Sequence, residues 1–163
     1  MTARTGPDDP AGMWAAIVRA RLALQIGLGF IWIYEGLIPK MLVPLTDLEI
    51  GVVAASGLVP NGLEAPLLRV LGGAEILLGI LVIWGGWSRP LCVVQFSVVS
   101  FFTVLIPATH PSTLVHPFGL LSKNIPILGA IAALWWLADS GRQPADDAVQ
   151  EHIGAFPNLL KRR

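Results

Sequence analysis

The stretch Leu67-Leu-Arg-Val-Leu-Gly-Gly-Ala-Glu-Ile-Leu-Leu-Gly-Ile-Leu-Val-Ile-Trp-Gly-Gly-Trp87 decides the fold. It has the roughly 20 mostly apolar residues that a helix needs to cross the hydrocarbon core of a bilayer. Its run Leu77–Val82 has no polar face, and neither has Leu91–Ile106 further on. A helix lying on a soluble protein keeps one. Strands that cross a membrane alternate apolar and polar residues, and these runs do not. Helices satisfy every backbone group internally, so they are the natural spanning form here.

Three more segments of the same kind flank this one. Ala15–Ile38 carries Arg19 and Arg21 at its start and is closed by Pro39. Pro90–Pro107 has no formal charge. Asn124–Ala138 ends near Trp135 and Trp136. The expected fold class is therefore all-α, an integral membrane four-helix bundle. Residues 15–139 form one domain, with polar tails at 1–14 and 140–163.

Composition agrees: 54% of residues are hydrophobic and only 13% charged, against about 25% charged in an ordinary soluble domain. Net charge is zero, so no global field draws the chain to nucleic acid. Cys92 is the single cysteine, which excludes an internal disulfide and any CxxC pair. It reads as an inert small hydrophobe. His110, His116 and His152 are too few and too scattered for a bis-histidine haem site, and no metal site is expected. The start, Met1–Gly12, lacks a basic n-region and a small-residue cleavage site, so it reads as a cytoplasmic tail.

Orientation follows from the basic residues near the helix ends. Arg4, Arg19, Arg21, Arg89, Arg142, Lys161, Arg162 and Arg163 fall on one side; Lys40, Arg69 and Lys123 fall on the other. The heavier side is read as cytoplasmic, with both termini inside a bacterial inner membrane and residues 39–66 and 108–123 outside. The short link at 85–89 makes the second and third spans a hairpin. Trp84, Trp87, Trp135 and Trp136 fit a cytoplasmic aromatic belt. In the first outer loop, Thr46-Asp47 before Leu48, Ile50, Val52 and Val53 predicts a short interfacial helix capped at Thr46. Gly57 and Pro60-Asn61-Gly62 end it. The apolar stretch around His116–Ser122 is read as dipping back among the helices. Gly27, Gly29, Gly72, Gly73 and Gly79 read as positions of close helix packing.

Ionisable residues within spans are candidates for function. Glu35 lies one turn from the outer end of the first span, and Lys40 follows Pro39. Arg69 stands at the outer start of the second span, with Glu75 about 9 Å deeper at 1.5 Å per residue. His110, His116, Lys123 and Asn124 gather between the third and fourth spans. All of them fall in the outer half, and the cytoplasmic half offers no comparable set. Glu75 is the deepest and has no partner on its own helix. A carboxyl left alone there would take up a proton, and could hydrogen-bond a quinone headgroup or relay that proton. Equally, Glu35–Arg69 or Glu75–Lys40 could be ion pairs that only fix helix register. The ligand or proton-relay candidates are thus Glu35, Lys40, Arg69, Glu75, His116, Lys123 and Asn124. No nucleotide loop, Ser–His–Asp set or HExxH is present, so there is no self-contained catalytic motif.

The segments Trp32-Ile-Tyr-Glu35-Gly36-Leu-Ile-Pro39-Lys40, Leu71-Gly-Gly-Ala-Glu75-Ile-Leu-Leu-Gly79 and His116-Pro-Phe-Gly-Leu-Leu-Ser-Lys123-Asn124-Ile-Pro126 resemble the DoxX-like family of small bacterial membrane proteins. The last is the most specific, and the resemblance spans about Arg19 to Ala138. It implies a four-helix membrane module linked to membrane redox chemistry, such as a thiosulfate:quinone oxidoreductase subunit. It also implies association with separate oxidoreductases. Three functions follow as expectations. The first is a membrane subunit of a quinone-linked redox system with an outer-leaflet polar pocket. The second is a non-catalytic anchor for a separate oxidoreductase. The third is a small transporter, disfavoured because polar groups in one leaflet make no continuous path. No cofactor beyond a quinone is implied. The expected partners are the lipid membrane, an oxidoreductase and further copies of the chain.

Overall fold

The computed structural model describes residues 10–85, 89–115 and 120–138, and they are helical throughout apart from short connections. Five α-helices follow one another: α1 (Pro10–Leu37), α2 (Asp47–Ser56), α3 (Glu64–Gly85), α4 (Arg89–Thr109) and α5 (Leu120–Leu137). A π-helical turn at Ile38–Leu42 continues α1, and a 3-10 turn at Pro111–Val115 follows α4. Three helical stretches, Gly12–Leu42, Glu64–Trp84 and Arg89–Thr109, are long and apolar enough to cross a membrane. The 18-residue α5 carries Lys123 and Asn124 in its first turns, and its apolar part is shorter.

The helices run longer than the hydropathy pattern alone suggests. α1 begins at Pro10, where a missing N–H costs nothing in a first turn. α4 passes through Pro107, and the main-chain bond from His110 to Ile106 at 2.8 Å carries its last turn onward. The helix expected in the first loop is α2. Thr46 and Glu49 form a reciprocal capping box, and Gly57 ends the helix in the left-handed region at φ 66°.

Each long helix turns one narrow face inward. On α1 the buried positions include Arg21, Gln25, Leu28 and Trp32; on α3 they include Leu68, Glu75 and Val82. α4 contributes Cys92, Gln95 and Val99, and α5 contributes Asn124, Ile131 and Leu134. These steps of three and four residues place one stripe of each helix toward its neighbours. The opposite faces expose Phe30, Leu77, Val104 and Ile125, a surface suited to lipid and costly in water.

α1 and α3 pack most closely. A Cβ at Gly72 would stand 2.8 Å from the Gly36 carbonyl oxygen, and one at Gly79 would stand 2.6 Å from that of Gly29. Antiparallel helices meet backbone to backbone at these two levels, the arrangement small residues permit where lipid supplies no hydrophobic drive. Gly27 faces open space, and Gly73 meets only the tip of Met41, so these two are not close-packing positions. Near the α3–α4 link the centre is filled by Leu28, Val82, Cys92, Ile131 and Leu134. Toward the α2 end the bundle is hollow.

Candidate functional site

The hollow begins with a proline. In an unbroken helix the N–H of residue 39 would donate to the carbonyl of Glu35, but Pro39 has no N–H. The chain widens there into the π turn, closed by Val43 N–H donating to the Ile38 carbonyl at 3.0 Å. The orphaned Glu35 carbonyl accepts a hydrogen bond from Lys40 Nζ at 3.2 Å instead. The same ammonium forms an ion pair with Glu75 Oε2 across the α1–α3 contact. Both side chains are largely buried, at 15% and 11% exposed. The Gly36–Gly72 approach beside them brings the two helices near enough for the pair to form.

A second pair lies further out. Lys123 Nζ on α5 stands 2.8 Å from Glu35 Oε1 on α1, and both are partly exposed. Beside it the buried Asn124 Nδ2 donates to Thr103 Oγ1 on α4 at 2.7 Å. Thr103 in turn donates to the Val99 carbonyl at 2.6 Å.

These groups share one cavity of about 270 Å³. Glu35, Lys40, Glu75, Lys123 and Asn124 make its polar wall. Trp32 and Val99 line it toward the link end, Leu68 and Leu71 from α3, and Phe102 and Ile106 from α4. α2 closes it with Leu48, Glu49, Val52 and Val53. The arrangement can hold a small, mostly apolar molecule and present it with two ammonium groups, an amide and three carboxylates.

Five of the seven residues singled out in the sequence therefore meet in one place. Arg69 does not: it is exposed on α3 and absent from the cavity lining. Glu35 pairs with Lys123 rather than with Arg69, because α5 and not the start of α3 lies beside it. Glu75 has no partner on its own helix, but of the two ion pairs considered from the sequence Glu75–Lys40 is formed, since the π turn delivers Lys40 to it. His116 and the dip expected around it fall largely at residues 116–119, outside the described residues. His110 lies under Gly51 of α2, not in the cavity. Among the described residues no group of acids, histidines and cysteine is placed to hold a metal.

Sequence reasoning missed a second polar tier. Arg21 (1% exposed), Gln25 and Gln95 are buried in the other half of the bundle. Gln95 Oε1 accepts from Trp32 Nε1 at 2.9 Å, and Gln25 Nε2 donates to the Val82 carbonyl at 3.4 Å. The available signal was phase: Arg21, Gln25, Leu28 and Trp32 share one face, so a stripe drawn through Trp32 would have included them. Gly36 was likewise readable from its spacing of seven from Gly29.

The sequence pattern of the DoxX-like family matches residues 29–132, well over half of the chain and the whole of the cavity wall. No curated protein and no solved structure matches it significantly. With its apolar helices and this match, the chain is a helical membrane protein and belongs to the DoxX-like family.

Proposed function

We propose that this chain is the membrane subunit of a quinone-linked redox system and that the cavity beneath α2 seats the quinone ring. The observation that carries the reading is the ring-sized apolar cavity with Lys40–Glu75, Lys123–Glu35 and Asn124 along a single wall. A quinone presents a flat apolar ring and two carbonyl oxygens that accept hydrogen bonds. Trp32 and Phe102 place aromatic side chains in the wall beside the ring, and the Lys40 ammonium and Asn124 amide offer donors. Reduction to the quinol takes two electrons and two protons. A separate oxidoreductase supplies the electrons. Glu75 and Lys40 lie where a proton can be passed to a ring oxygen, and the partly exposed Glu35–Lys123 pair can replace it from water.

In this reading α1, α3, α4 and α5 are four crossings of a bacterial inner membrane, and α2 lies at its outer surface. The excess of Lys and Arg at the other end supports cytoplasmic termini. A second reading, a non-catalytic anchor for an oxidoreductase, draws on the fact that Glu35 and Glu75 already have lysine partners. A transporter is disfavoured by the packed core of Leu28, Val82, Cys92, Ile131 and Leu134, which fills the bundle beyond the cavity.

Purification in mild detergent separates the two main readings. Mass spectrometry of the lipid extract should find a quinone at near-stoichiometric yield. A stoichiometric oxidoreductase with no quinone favours the anchor.

A further inference from the structure

Three of the four seams around the cavity are fastened, and the fourth is not. α1 and α3 are joined through their glycines and by Gln25 donating to the Val82 carbonyl. α1 and α5 are spanned by the Glu35–Lys123 pair, and α4 and α5 by the Asn124–Thr103 hydrogen bond. α3 and α4 are consecutive in the chain, yet they scarcely approach one another. Among the described residues no hydrogen bond or ion pair joins them in the half that flanks the cavity. What connects their outer ends is α2, which lies against both.

The residues on either side of this seam are apolar and reach into the cavity: Leu71 on α3, and Phe102 and Ile106 on α4, each only half buried. The charge on the helices around the cavity lies on the other side, from α1, its π turn and α5, apart from Glu75, which faces Lys40; Glu49 belongs to the overlying α2, where its carboxylate accepts from Thr46. The cavity therefore has a polar wall away from the seam and a hydrocarbon-like wall along it.

We propose that the cavity is loaded sideways from the bilayer through the α3–α4 seam, and that its ligand is a tailed amphiphile. The ring-sized polar head sits on the Lys40–Glu75 side, and a hydrocarbon tail runs out between Leu71 and Phe102–Ile106 into lipid. α2 acts as the strap that keeps the seam from opening toward water. This inference rests on the cavity being a ring-binding site and adds the class of ligand and its route. The alternative route is from the outer water past Glu35 and Lys123, which would suit a ligand without a tail.

The test uses the full chain in lipid nanodiscs, with Cys92→Ser, Leu71→Cys and Ile106→Cys, before and after bridging the seam with a bifunctional maleimide. The probes are a tail-less benzoquinone and the same ring with a decyl tail, read by quenching of tryptophan fluorescence. Bridging should weaken the tailed probe at least tenfold and change the tail-less probe less than twofold. Equal effects on both probes, or an undiminished affinity for the tailed one, overturn lateral loading. If neither probe binds the unbridged wild-type chain, the ring-binding reading itself falls, and this inference with it. Should the double-cysteine chain not purify as a monodisperse species, Leu71→Trp narrows the same seam, and the same contrast between probes decides.

Discussion

The carbonyl oxygen of Glu35 accepts its hydrogen bond from the side chain of Lys40, at 3.2 Å, and not from the main chain. Pro39 forces that substitution, and the ammonium it captures is the one that pairs with Glu75. A single imino acid thus sets the position of the most deeply placed charges in the cavity.

Lys40→Met should be more harmful than the double change Lys40→Met with Glu75→Gln. Removing one partner of a buried ion pair leaves the other unpaired, a loss of about 3–5 kcal/mol in soluble proteins. Removing both relieves that penalty. Thermal unfolding in detergent, run as a double-mutant cycle, should give a strongly favourable coupling term; simple additivity contradicts the pairing.

Pro39→Ala restores the main-chain donor to Glu35 and lets the π turn relax toward a regular helix. Lys40 should then turn away from Glu75. The expected result is at least a fivefold loss of benzoquinone affinity together with a lower melting temperature, because Glu75 loses its buried partner. A stability loss without a binding loss would contradict it.

The glycines should divide by what they face. Gly36→Ala and Gly79→Ala force a methyl against the opposing backbone and should cost about 1–3 kcal/mol. Gly27→Ala meets open space and should be neutral, or stabilising by up to about 1 kcal/mol, because alanine is the better helix former. Melting temperatures of the three variants in one detergent check the order.

Thr46→Ala removes the side-chain half of the α2 capping box and should cost about 1 kcal/mol, confined to α2. Hydrogen exchange should quicken over residues 47–56 and remain unchanged in α1 and α3. Uniform acceleration would show that α2 is not a separable unit.

Orientation is checked by labelling in a Cys92→Ser background. Asp47→Cys should react with an impermeant maleimide on intact cells, and Thr2→Cys only after lysis. The reverse pattern inverts the assignment.

The sequence made the membrane helices legible because their signal is length and absence of charge, both additive along the chain. It also disclosed α2, since Thr46 and Glu49 at capping-box spacing announce a helix start locally. The partners of the charges were harder. Glu75 and Lys40 are 35 residues apart and meet only because Gly36 and Gly72 let two backbones touch. Arg69 looked equivalent to Lys123 by composition, yet its position on α3 faces outward, and a difference of helix phase carries no compositional mark. Gln25 and Gln95 are uncharged, and the burial of Arg21 is a matter of helix phase, so neither leaves a mark in composition or hydropathy. The number of crossings rests on α5, whose apolar part is short for a span and whose start carries Lys123 and Asn124.

The most direct test of the central claim is titration of a decyl-tailed benzoquinone into the wild-type chain and Glu75→Gln, both in nanodiscs, with tryptophan fluorescence as the readout. The account predicts saturable binding to the wild type, a loss of at least tenfold in Glu75→Gln, and unchanged size-exclusion behaviour of the variant. Equal affinity in a folded Glu75→Gln, or no saturable binding to the wild type, would contradict it.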